Sequence, residues 1–124
     1  MATAYFPSLT DVDVVDVEFV KPTGGVVAMR LLVDSGFTGQ SSFVLPRHAK
    51  DLAQALVPPS ETMGALRGLQ RRGWVICRVP AISFEAMMIA VLADLGPLSL
   101  PAETDGILGL RFLRRFARWG AERT

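Results

Sequence analysis

Cysteine and histidine are almost missing from this chain: Cys77 and His48 are the single examples in 124 residues. One cysteine excludes a disulfide framework and a cysteine-based zinc site. One histidine excludes a multi-histidine metal centre. No metal or other cofactor is therefore expected. Charge of one sign is missing as well. Thirteen Lys and Arg against 12 Asp and Glu leave a net charge of +1, too little for a dominant polyanion-binding field, so no nucleic acid partner is expected. Long hydrophobic runs are also lacking. The longest apolar stretch, 86–100, is interrupted by Asp94, Gly96 and Pro97 and is too short to cross a bilayer. The opening MATAYFPSLT has neither a basic n-region nor an apolar h-region. No signal peptide and no membrane association are expected, and the expected location is cytoplasmic.

Apolar residues are plentiful. They make up 50% of the chain, with a mean hydropathy of +0.34, which argues against global disorder. A chain of this mass buries about two-thirds of its extended surface on folding, enough for one real core. A single domain, 1–124, is expected. The surplus of apolar side chains must be hidden in that core or in an interface, so self-association is expected.

Asp11 to Val20, D-V-D-V-V-D-V-E-F-V, alternates acid and valine as a half-exposed strand does. Pro22-Thr23-Gly24-Gly25 is a turn, and Val26 to Val33 returns as an antiparallel partner. Asp34 to Gln40 is a loop of small residues, followed by a short strand from Ser41 to Leu45. Pro46 opens a helical pattern with Ala49, Leu52, Ala53 and Leu56 on one face, stopped by Pro58-Pro59. The stretch 61–72, rich in glycine and arginine, suggests a hairpin. Trp74 to Val79 and Met87 to Val91 are strand candidates, and 97–103 is a loop. Asp105-Gly106 leads through Ile107-Leu108-Gly109 into a helix from about Leu110 to Trp119, with Gly120 as its C-cap. The expected class is all-β, with one internal and one C-terminal helix.

Two stretches carry the chemistry. In Leu31-Leu32-Val33-Asp34-Ser35-Gly36 an apolar strand delivers a carboxylate, then a hydroxyl, then a glycine that allows a turn other residues resist. In Gly106-Ile107-Leu108-Gly109-Leu110-Arg111-Phe112-Leu113 an apolar strand ends in glycine and becomes a helix with leucine spacing. Taken singly, the first is an ordinary turn after a strand and the second an ordinary strand-to-helix junction.

In this order and together, LLVDSGFTGQSSFVLP (31–46) and GILGLRFL (106–113) resemble the retropepsin-like aspartic proteases, in particular the small bacterial ones whose loop reads D-T-G-F. The resemblance spans roughly Asp11 to Trp119. It implies a closed-barrel-like acid-protease fold with one lobe per chain. It makes Asp34 the catalytic carboxylate, Ser35 the hydroxyl that bonds across to the other half of the site, and Gly36 the residue that shapes the loop. Gly106 to Gly109 become a structural turn beneath that loop. A flap is expected at Met63 to Gly73. Phe37, Met63 and Leu66 are the expected substrate-pocket residues. Ser35 stands where threonine is commoner and keeps the hydroxyl. Family members also continue past the terminal helix into a final strand that helps dimerise; a helix reaching Trp119 leaves little chain for one before Thr124.

The implied activity is hydrolysis of a peptide or protein substrate by an aspartic endopeptidase. That chemistry needs two carboxylates sharing one proton, because two acids about 3 Å apart cannot both ionise. The chain holds one D-[ST]-G. Asp105-Gly106 has no intervening hydroxyl, and Asp94-Leu95-Gly96 has an apolar residue there. A twofold homodimer contributing one Asp34 from each copy follows. The alternative is a catalytically inactive module of the same fold that binds or dimerises.

The remaining polar and sulfur residues have plainer readings. His48 reads as a surface histidine, Cys77 as a buried structural thiol and Met87 and Met88 as core filler. Asp11, Asp13, Asp16 and Glu18 read as the wet face of a strand. Arg67, Arg71 and Arg72 read as the solvated charge of the hairpin. Arg111, Arg114, Arg115 and Arg118 form a basic face on the terminal helix, solvated or paired with the acidic first strand.

Overall fold

A computed structural model of the protein describes residues 3–8, 14–34, 36–37, 39–59, 70–96, 100–101, 103–116 and 118–123. Within them the chain is strand-rich. β1 (Thr3–Ser8) is followed by β2 (Val14–Val20), β3 (Val26–Asp34) and β4 (Phe43–Pro46). A 3₁₀ turn over Arg47–Leu52 leads into β5 (Ala53–Val57), then β6 (Arg71–Val79) and β7 (Phe84–Ala93). β8 (Gly106–Gly109), a single helical turn α1 (Leu110–Leu113) and β9 (Arg118–Arg123) complete the order.

The expected hairpin forms. β2 and β3 pair antiparallel, with Val15 opposite Leu31 and Val20 opposite Val26. Its turn is closed by Gly24 N–H donating to Lys21 O and Lys21 N–H donating to Gly25 O, both at 3.0 Å. Gly24 and Gly25 sit at φ +94° and +88°, the left-handed side that only glycine occupies at little cost. Along β2, Val15, Val17 and Phe19 point into the core while Asp16, between them, is exposed and Glu18 half-buried, as alternation demands. Asp11 and Asp13 lie outside the described residues.

The strand order β2-β3-β8-β4-β7-β6 closes on itself because β6 also pairs with β2, giving a six-strand barrel. β6 manages this by dividing one edge. Its first half, Arg72 to Val75, carries β5, and its second half, Ile76 to Arg78, carries β2. The inward residues form one core that includes Phe19, Leu31, Phe43, Val75, Cys77, Leu108 and Phe112. Phe19, Phe43, Phe112 and Phe84 or Phe116 follow one another in edge or tilted contacts, with centroids 5.1–5.7 Å apart, the separation at which ring quadrupoles attract. Apart from the barrel, β1 and β9 pair in parallel, Thr3 opposite Arg118 and Ser8 opposite Arg123.

Both expected helices are corrected. The internal one is a 3₁₀ turn that ends at Leu52, and Ala53–Val57 is a strand paired with β6. The apolar spacing of Ala49 and Leu52, three residues apart, suits a 3₁₀ turn equally well, and both are buried; Leu56 is 69% exposed. The terminal helix is one turn long. Arg115 N–H donates to Phe112 O and Phe116 N–H to Leu113 O, i→i+3 bonds that tighten and end it. Residues 118–123 are a strand, so Gly120 is not a C-cap and a final strand does follow the helix.

Smaller corrections concern β6 and β7. Both are longer than expected, and Met87 is 50% exposed where Met88 is buried. Among the described residues the acids of this first acidic strand, β2, pair with Arg30 and Arg78 and not with Arg111, Arg114 or Arg115: Asp16–Arg30 is 3.3 Å and Glu18–Arg78 is 3.4 Å. Arg111, Arg114 and Arg115 are exposed. Among the described residues no helix is long and apolar enough to cross a membrane.

Candidate active site

Asp34 is the last residue of β3, so a strand of the barrel wall fixes its backbone. The turn that follows is closed twice. Phe37 N–H donates to Asp34 O at 3.1 Å, and Gly36 N–H donates to Asp34 Oδ1 at 2.9 Å. The second bond orients the carboxyl with a backbone donor. A Cβ on Gly36 would lie 3.1 Å from that same oxygen, so any larger residue there would crowd the carboxyl the turn holds. Ser35 lies outside the described residues.

β8 is threaded between β3 and β4. It runs parallel to β3, with Asp34 opposite Gly109, and antiparallel to β4, with Ile107 opposite Val44. Gly109 N–H donates to Ser42 O at 2.8 Å and Leu110 N–H to Phe37 O at 3.0 Å. The 106–109 stretch thus packs against the Asp34 loop. A Cβ on Gly109 would stand 2.5 Å from Phe37 Cδ2 and 3.0 Å from Phe37 O. At Gly106 a Cβ would collide with Val44 O. The two glycines let three strands and a loop approach more closely than any side chain permits.

Register also decides where Asp34 points. Paired residues share a face and residues two apart on a strand share it too. Asp34 and Leu32 therefore lie on the face of Ile107, Val44 and Val91, opposite to the inward Leu31, Leu108 and Phe43. The carboxyl, half-buried, belongs to the outside of the barrel. Val44, Val91, Ala93 and Ile107 form a second apolar cluster on that face, partly covered by Phe37, Leu95 and Leu100. Phe37 joins the Asp34 loop to this cluster. From the sequence alone, none of Val44, Ile107, Val91, Leu95 and Leu100 is assigned to the surroundings of Asp34. The alternation of Ile107 and Leu108 beside Asp34 was the available signal.

Met63 and Leu66 lie outside the described residues, as does the 63–69 part of the expected flap. Its remainder is Gln70, which precedes β6, and 71–73, the start of β6. Arg72 is not solvated. It is 9% exposed, and its Nε and Nη2 donate to Pro58 O at 3.3 and 3.0 Å.

No other described carboxylate is brought to Asp34 by the strand pairing. β4 and β7 run opposite to β3 and β8, so Asp94 leaves the far end of the wall, and Asp105 sits at that end too, accepting the Arg30 N–H at 2.8 Å. Asp94 makes the same kind of turn as Asp34, accepting the Gly96 N–H at 3.0 Å. Two cavities lie elsewhere. One of about 660 Å³ is bounded by β2, β3 and Pro80-Ala81, the other, of about 680 Å³, by the 3₁₀ turn and the start of β6. Among the described residues no group of three or more His, Cys, Asp or Glu is placed to hold a metal ion. No family model, curated protein or solved structure matches the chain.

Proposed function

We propose that this chain is half of a retropepsin-like aspartic endopeptidase, completed by a second copy that supplies the other Asp34. One observation carries the reading. The D-S-G loop and the I-L-G strand, far apart in sequence, are packed on each other, with Gly109 opposite Asp34 and Leu110 N–H bonded to Phe37 O at 3.0 Å. That is the packing the resemblance implies for the two motifs.

In the dimer, one carboxylate accepts a proton from water as its oxygen attacks the peptide carbon. The other, protonated, donates a hydrogen bond to the carbonyl oxygen. The tetrahedral intermediate then loses the amine as its nitrogen takes a proton and the C–N bond breaks, leaving the pair with one shared proton. Substrate lies extended across the dimer, with Phe37 and the cluster beside it offering apolar contact. The location proposed is the cytoplasm.

Incubating the chain and Asp34→Asn with a broad peptide library from acid to neutral pH tests this. Cleavage by the wild type, lost in a variant with an unchanged circular-dichroism melt, is expected. Equal cleavage by Asp34→Asn rejects the mechanism, and a folded, inert wild-type chain rejects the activity.

A further inference from the structure

We propose that the end of the barrel beside the 3₁₀ turn is a binding site for a small polyphosphate-type anion. The inference is independent of the reading of Asp34. The cavity there, about 680 Å³, is bounded by Arg47, His48, Lys50, Gln70, Arg71 and Leu92. Two arginines, a lysine and a histidine share one concavity, and no carboxylate is among the described residues that bound it.

The fold enforces the cluster. Ala49 and Leu52 anchor the turn in the core. Arg47, His48 and Lys50, interleaved with them, are left exposed. Arg71 joins from β6, directly opposite Leu92 of β7. None of Arg47, Lys50 and Arg71 forms an ion pair with another described residue, whereas Arg30 and Arg78 each pair with two acids. The 660 Å³ cavity offers the contrast: Asp16, Glu18, Glu103 and Asp105 bound it together with Arg30. Asp51, on the same turn as Lys50, is exposed and does not bound the basic cavity. In a chain of net charge +1, this concentration of cations with no ionic partner among the described residues focuses potential into one recess.

The chemistry favours phosphate over an acidic peptide. Two guanidinium forks match phosphoryl oxygens in pairs, and the lysine adds a point charge. Linked phosphates bring several charges into one small volume. Carboxylates on an extended peptide recur only at roughly 7 Å on one face. Among the described residues that bound the recess none is aromatic, and the polar contacts they offer are to the phosphates alone.

Isothermal titration of the full chain with inorganic tripolyphosphate at low salt tests the site. The expected result is one-to-one binding that weakens steeply with added salt. Arg71→Ala and Lys50→Ala should each weaken it at least about tenfold, with circular-dichroism melts that confirm folding, while Arg111→Ala on α1 should leave it unchanged. Three outcomes overturn the proposal: no binding, equal weakening by Arg111→Ala, or tighter binding of an aspartate-rich or singly phosphorylated peptide than of tripolyphosphate.

Discussion

Cys77 donates its thiol to Ala86 O at 3.3 Å and has no exposed surface. Burial, opposed only weakly by that bond, pushes its pKa up from 9.0 to about 12. The neutral thiol is favoured in the fold, so its contribution to stability is complete below pH 9.0 and disappears as pH rises towards about 12. The native protein at pH 8 should therefore leave an aromatic disulfide reagent unreacted, and unfolding in denaturant should release one thiol per chain. Gly109 is the second residue whose surroundings dictate its chemistry. A methyl there meets both the ring and the carbonyl of Phe37. The ring can turn away; the carbonyl belongs to the backbone of the Asp34 loop. Gly109→Ala should cost about 1–3 kcal/mol, read as a lower midpoint in urea, and should reduce peptide cleavage beyond the loss of folded protein.

Among the elements, the 3₁₀ turn and β5 separate two readings of the same apolar spacing. Leu52 is buried and Leu56 is not. Leu52→Ala should destabilise by about 2–5 kcal/mol, while Leu56→Ala should fall within about 0.5 kcal/mol. A continuous helix would have made the two substitutions alike, and denaturant midpoints distinguish the cases. Here the sequence was ambiguous because helical and 3₁₀ spacings coincide over Ala49 and Leu52 and diverge only beyond them. The β2–β3 hairpin was legible because alternation and a Gly-Gly turn are both local. The packing of β8 on the Asp34 loop was legible through the paired motifs. The closing contact of β6 with β2 and the pairing of β1 with β9 join residues distant in sequence, with no local pattern to announce them. Arg72 is illegible from the sequence for a related reason: the acceptor it meets among the described residues, Pro58 O, lies on another segment.

For the whole molecule, closure of the barrel settles which face the acid occupies. A core filled by phenylalanine and valine has no place for a charged carboxylate, and the register of β3 sends Asp34 to the outer face while Leu31 points inward. An acid on the outer face can meet a second copy of itself; an acid inside could not. Mixing wild-type chain with Asp34→Asn at constant total concentration measures that requirement directly. If both acids are needed, an equimolar, fully exchanged mixture retains about one quarter of the wild-type cleavage rate, since only that fraction of random dimers carries two acids. A rate of about one half would mean that each chain works alone, and would contradict the paired-carboxylate account.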